Sequence, residues 1–203
     1  PSASAMAAAG EEAVVAAWEG LGYYRRARLL YGAAVRICEL HGGKVPRSTE
    51  ALLALPGVGR YTAGSVASIA FDCRTPIVDG NVIRVVARLE AIDAAIDDPA
   101  LVTRCWETAG ALVGAAKSPG VLNESLMELG ATVCKPGPPS CDRCPVRTQC
   151  AASRTGVASQ IPRPKRRPVR QIIHLHTILF RRGDRVLLRQ RPHRGIWAGL
   201  WEL

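Results

Sequence analysis

A chain of 203 residues, 48% apolar and 22% charged, can bury one full core and part of a second, which excludes wholesale disorder. No apolar run approaches a membrane-spanning helix, and the start, Pro1 to Met6, lacks the basic-then-apolar order of a signal peptide. The net charge of +10 is unevenly placed: residues 1–150 carry 15 Lys/Arg and 15 Asp/Glu, whereas residues 151–194 carry 12 Lys/Arg and one acid, Asp184. Such a basic stretch suits a phosphate backbone and, equally, a solvated linker.

In chain order, residues 1–133 read as short helices joined by Gly- and Pro-marked turns. Leu29, Leu30, Ala33, Ala34, Ile37 and Leu40 recur at helical spacing, and Gly42-Gly43 ends that run. A short apolar run from Ala51 to Leu55 stops at Pro56-Gly57, and Arg60 to Phe71 is helical and rich in small residues. Asn81 to Ile92 puts Val82, Val85, Val86 and Leu89 on one face, and Leu101–Ala116 and Leu122–Cys134 form two more helices. The texture changes near Ala151. Ile161 to Pro168 is a Pro- and Arg-rich linker, and Ile172 to Phe180, the turn Arg181-Arg182-Gly183-Asp184 and Val186-Leu187-Leu188 predict a β-hairpin.

Four segments carry chemistry. Cys134, Cys141, Cys144 and Cys150 put four thiols within 17 residues, a set suited to one metal centre. Spacing leaves a [4Fe–4S] cluster and a structural zinc both open, and a disulfide framework is a poor match for seven cysteines, an odd number. Cys38, Cys73 and Cys105 read as small buried residues. In Leu55-Pro56-Gly57-Val58-Gly59-Arg60-Tyr61, two glycines turn the chain between helices, where backbone N–H groups and a helix N-terminus can approach an anion. Asp79, in Val-Asp-Gly-Asn-Val, precedes a helix, so it reads both as an N-cap and as a carboxylate aimed at a cationic transition state. Trp18 to Arg28 sets Trp18, Tyr23 and Tyr24 beside Arg25, Arg26 and Arg28 in a Gly-containing turn, suited to wedging into a base stack or, more plainly, to core aromatics beside a solvated face.

Taken together, these segments resemble the MutY-type adenine DNA glycosylases of the helix-hairpin-helix, endonuclease III superfamily. The likeness runs almost continuously over residues 11–150, through Gly-Leu-Gly-Tyr-Tyr (20–24), Leu-Pro-Gly-Val-Gly-Arg-Tyr-Thr-Ala-Gly (55–64), Val-Asp-Gly-Asn-Val (78–82), Met-Glu-Leu-Gly-Ala (127–131) and the cysteine loop. The resemblance implies a [4Fe–4S] cluster on Cys134, Cys141, Cys144 and Cys150. It implies that Asp79 stabilises a sugar cation with Asn81 as its polar neighbour. It also implies that Gly57, Val58 and Gly59 bind phosphate, and that Tyr23, with Arg25 beside it, contacts DNA and wedges at the lesion. Relatives with lyase activity place a Lys where Tyr61 stands, and a phenol cannot form a Schiff base. The resemblance therefore implies a monofunctional enzyme, with Tyr61 hydrogen-bonded near Asp79.

The fold expected is mainly α: a helix-hairpin-helix glycosylase core with an iron–sulfur loop over 1–151, its N-terminal part missing. A linker over 152–170 and, over 171–203, the truncated opening strands of a Nudix-like α/β domain follow. The tail around Gly195 to Glu202 carries that last likeness. The implied activity is hydrolysis of the N-glycosidic bond of adenine opposite 8-oxoguanine or guanine in double-stranded DNA, by a monomer in the bacterial cytoplasm, with no membrane partner. The alternatives are an endonuclease III-like glycosylase for oxidised pyrimidines and a non-catalytic DNA-binding iron–sulfur module. Two departures stand out. The family's general-acid Glu motif has no counterpart here, Glu11, Glu12 and Glu19 not matching it, and the Nudix-like part stops early. The chain alone is therefore expected to be inactive.

Overall fold

The computed structural model describes residues 2–165, 172–192 and 194–203. The chain divides into two compact units, Pro1–Arg166 and Arg167–Leu203. The first is helical. Helices α1 (Ala3–Ala9) and α2 (Glu11–Ala17) precede the long α3 (Arg25–His41), which Gly42 ends in the left-handed conformation. Helix α4 (Thr49–Leu53) is capped by the Ser48 side chain, and a turn leads into α5 (Arg60–Ser65). The helical run expected over Arg60–Phe71 changes character midway: Val66–Ala70 is π-helical. Helices α6 (Gly80–Leu89), α7 (Pro99–Ala115), α8 (Pro119–Thr132) and the short α9 (Ala151–Arg154) complete the unit.

Two main cores follow from the apolar faces. Ala33 and Ile37 of α3 meet Leu52, Leu55, Ala63 and Ala67 from α4 to the π-helix. The valines of α6, Val82, Val85 and Val86, meet Leu101, Cys105 and Ala109 of α7 and Leu126 of α8. Burial pushes the Cys105 thiol up to about 11, in keeping with a packing role. Cys38 and Cys73 are only half-buried.

Packing continues beyond residue 151, where the linker was expected to begin. Ala152, Ala158 and Ile161 are buried, and Arg163 exchanges backbone hydrogen bonds with Ala94 and Ile96. The reason is that Ile161 completes the α6–α7 core. The rest of the expected linker, 166–170, lies outside the described residues.

Among its described residues the second unit holds two antiparallel two-stranded ladders. In one, β1 (Arg181–Arg182) pairs with β2 (Arg185–Val186); in the other, β3 (Arg189–Gln190) pairs with β4 (Trp201–Glu202). The hairpin is therefore present, but its turn is Gly183-Asp184 and Ile172–Phe180 forms no strand. Ladders this small cannot bury a face, and Ile172, Phe180, Leu187 and Trp201 stay exposed. No helix among the described residues is long and apolar enough to cross a membrane.

Candidate active site and cysteine loop

The turn between α4 and α5 is built by close approach. Gly57 has φ +75°, and a Cβ there would stand 2.7 Å from the Cβ of Leu29 in α3. Only glycine accepts both conditions. Gly59, by contrast, has φ −93° and open space where a Cβ would point. Gly59 is exposed. Leu29 lies in the second turn of α3 and Tyr23 just ahead of its first residue, so the turn and the Tyr23 loop are fastened to the same end of α3.

Asp79 caps α6, its Oδ1 accepting from the Val82 N–H at 2.8 Å. Its Oδ2 accepts from Asn81 Nδ2 at 2.9 Å. The half-buried carboxylate is thus oriented at both oxygens, and each keeps a lone pair for a further partner. Behind it stands a buried cation. Arg84 Nη2 donates to Asn81 Oδ1 at 2.8 Å and to the Gly130 carbonyl at 2.6 Å, and its Nε donates to the Cys134 carbonyl at 2.7 Å. Burial, and then neighbouring Arg88, lower the Arg84 pKa from its usual value. A relay therefore runs from Asp79 through Asn81 and Arg84 to the first cysteine of the loop.

Helix α8 supplies the opposite wall. A Cβ on Gly130 would stand 2.6 Å from the Asn81 Cβ. One turn earlier on the same helix, Met127 accepts from the Tyr61 hydroxyl at 3.7 Å, an ordinary reach to sulfur. Residues three apart share a helix face, so Tyr61 and Asn81 flank one strip of α8. The expected hydrogen bond of Tyr61 near Asp79 is thus replaced by one to the Met127 sulfur, because α8 stands where the hydroxyl points.

Cys134, Cys141, Cys144 and Cys150 line one small pocket, together with Arg88, Pro139 and Ala158. No group of three or more His, Cys, Asp or Glu among the described residues closes tightly enough to hold a single metal ion. Arg88 is 2% exposed, and its guanidinium donates to the carbonyls of Ile161, Lys135 and Gly137 and to the Cys134 sulfur at 3.3 Å. A buried guanidinium without a carboxylate partner demands nearby negative charge. Thiolates ligating a metal centre would provide it, so the donor set fits an anionic metal–thiolate group. Burial pushes the Cys134 thiol up, and Arg88 opposes that.

Sequence reading singled out Asp79 and the cysteines but missed Arg84 and Arg88, which tie them together. The available signal was two arginines four apart among the valines of a short helix, a place where a solvated Arg has no room. Arg25, exposed at the start of α3, and Tyr23, 85% exposed, stand on the surface.

A family model described as HhH-GPD superfamily base excision DNA repair protein matches residues 1–109. An adenine DNA glycosylase from Arabidopsis thaliana is 43% identical over 200 residues, covering 91% of this chain and 31% of the relative. One from Rattus norvegicus is 39% identical over 246 aligned residues, covering 100% of this chain and 48% of its own. A Mycolicibacterium smegmatis counterpart is 46% identical over 146 residues, 72% of this chain and 49% of its own. The chain thus spans half or less of the length of these relatives. Among solved structures, a thermostable thymine-DNA glycosylase superposes with a TM-score of 0.65 at 25% identity, over 76% of this chain and 70% of that one. A non-covalent endonuclease III–DNA complex gives 0.60 at 27%, over 76% and 71%. With the family match spanning more than half the sequence and the same helical architecture, the chain belongs to the HhH-GPD superfamily of base excision DNA repair proteins.

Proposed function

We propose that this chain is part of an adenine DNA glycosylase that removes adenine paired with 8-oxoguanine or guanine, without cutting the strand. The observation that carries the reading is the Asp79 carboxylate, fixed at both oxygens, with its partner Asn81 and with Tyr61 both packed against α8. Breaking an N-glycosidic bond builds positive charge on the sugar, and a fixed carboxylate stabilises that charge without having to reorganise. Gly57, Val58 and Gly59 hold the DNA backbone, Arg25 adds a phosphate contact, and Tyr23 enters the base stack beside a flipped nucleotide. Asn81 orients Asp79.

The cysteine pocket holds a [4Fe–4S] cluster. Support comes from the four cysteines that line one pocket and from the buried Arg88 charge beside Cys134. Bound there, the cluster cross-links residues 134–150 and supplies negative charge beside Arg88. Residues 171–203 belong to a Nudix-like domain, and the protein works as a monomer in a reducing cytoplasm.

The likeness to endonuclease III in fold raises a second reading, a glycosylase for oxidised pyrimidines with lyase activity. Tyr61 opposes it. Borohydride treatment in the presence of lesion duplexes separates the two. No trapped protein–DNA adduct is expected, together with tighter binding to an 8-oxoguanine duplex bearing a non-hydrolysable adenine than to a matched duplex. A trapped adduct, or equal binding to both duplexes, would overturn the proposal.

A further inference from the structure

The loop ahead of α3 carries contacts that the chemistry at Asp79 leaves unexplained. Gly20, Gly22 and Tyr23 have φ of 82°, 64° and 52°. A glycine takes such angles freely; a tyrosine is strained there, because its Cβ crowds the backbone. Tyr23 is also 85% exposed, so burial of its ring does not hold it in place.

Arg26 does. Its guanidinium lies 5.2 Å from the Trp18 ring centroid and 5.7 Å from that of Tyr23. The same group donates from Nη2 to the carbonyls of Leu21 and Gly22, at 3.3 and 3.5 Å. Trp18 Nε1 donates to that Gly22 carbonyl at 3.0 Å, and the Arg26 N–H donates to the Tyr23 carbonyl at 2.8 Å. One planar cation thus braces the rings on either side of the turn and ties down the carbonyls between them.

We infer that Arg26 is the positioning residue of the Tyr23 wedge: it holds the strained turn closed and the Tyr23 ring fixed before DNA arrives. This rests on the proposal that Tyr23 enters the base stack. A lysine keeps the charge and its donors but cannot lie as a plane against both rings. The role is therefore one of shape, and charge alone does not fill it.

The test needs binding only. The 203-residue chain is titrated onto an 8-oxoguanine:adenine duplex with 2-aminopurine next to the adenine, whose emission rises when the stack opens. The unsubstituted chain is expected to raise emission at saturation, and Tyr23→Ala to abolish the rise. Arg26→Lys and Arg26→Ala are both expected to cut the rise about three-fold at saturation, as the ring spreads over its staggered rotamers, with helical circular dichroism unchanged. If Arg26→Lys matches the unsubstituted chain, the residue acts by charge and the inference fails. If Arg26→Ala keeps the full rise, it fails as well. Should Arg26→Ala lose its helicity, Arg26→Lys alone decides. A rise that survives Tyr23→Ala would instead remove the wedge reading itself, and this inference with it.

Discussion

Replacing Asp79 by Asn isolates the charge from the geometry. The substituted amide keeps a carbonyl for the Val82 N–H, and Asn caps helices as well as Asp does. The other oxygen becomes an NH₂ group facing the Asn81 amide nitrogen, which already donates there. Asn81 cannot turn over to accept, because its oxygen is held by Arg84. One hydrogen bond is lost and two donors oppose each other, a cost of about 1–2 kcal/mol in folding stability. The functional loss is separate. A duplex carrying a protonated pyrrolidine in place of the sugar at the adenine position mimics the cation, and a tetrahydrofuran at the same position is its neutral counterpart. A charge-assisted contact contributes about 1.5–3 kcal/mol, so Asp79→Asn should weaken cation binding by about 10- to 150-fold. Binding of the neutral duplex, followed by fluorescence anisotropy at one salt concentration, should hardly change. Equal losses on both duplexes would refute the electrostatic role, since they would trace to distorted structure. No loss on either would place the carboxylate away from the sugar.

Gly57→Ala should lower stability by about 1–3 kcal/mol in urea denaturation, since φ +75° and the contact with Leu29 both oppose a Cβ. Gly59→Ala, whose Cβ enters open space, should fold within about 0.5 kcal/mol of the unsubstituted chain yet bind duplex DNA more weakly. Arg84→Leu should cost about 2–4 kcal/mol, because the Gly130 and Cys134 carbonyls lose their donor in a buried setting. It should also release Asn81, seen as a shifted side-chain amide signal by NMR. For Glu90, burial raises the carboxyl pKa, but the hydrogen bonds from Arg104 and Thr108 and the Arg104 charge outweigh it, leaving the net shift downward from 4.5. That pair therefore stabilises the fold above the ordinary carboxylate range and ceases to do so as pH falls below it. The stability difference between Glu90 and Glu90→Gln should be full near neutral pH and shrink as acid is added; a difference that grew toward low pH would contradict the sign.

Much of the helical core is legible in the sequence because its signals are local. Gly42 ends α3, Pro56-Gly57 ends α4 near its expected limit, and the valine spacing fixes the buried face of α6. The Asp79 cap is legible for the same reason: an Asp ahead of a helical pattern has few other tasks. What was not legible depends on distant partners. The turn after Ser65 becomes π-helical where Ser68, Asn123 and Gly120 meet across 50 or more residues, the Gly120 Cβ position lying 2.6 Å from the Ser68 carbonyl. Ile161 reads as linker beside three prolines and three arginines, yet it is buried, because the space left between α6 and α7 fits it. The apolar run Ile172–Phe180 has strand composition but forms no ladder among the described residues, and composition alone cannot supply a partner.

The placement of Asp79 is over-determined from two sides, and this bears on how a single carboxylate can act. On one side lies the relay through Asn81 and Arg84 to the cysteine loop. On the other, the strand of chain leading into Asp79 is bolted down by Asn123, which is fully buried. Its Oδ1 accepts from the Ile77 N–H at 3.2 Å; its Nδ2 donates to the Thr75 carbonyl and to Ser68 Oγ, each at 2.9 Å. Ser68 Oγ in turn donates to the Gly64 carbonyl at 2.8 Å, in the helix that follows the Gly57–Gly59 turn. In a dry interior each of these groups costs about 1–3 kcal/mol if left unpaired. Any shift of residues 75–79 would break several at once, and the fully buried Asn123 and Ser68 could not turn to water. The carboxylate and the Gly57–Gly59 turn are therefore held in one register by polar bonds, where apolar packing alone would tolerate sliding. A charge that must meet a short-lived cation gains from being unable to relax away from it. That explains why buried asparagine, serine and arginine, each unfavourable in a core taken singly, gather around this one aspartate.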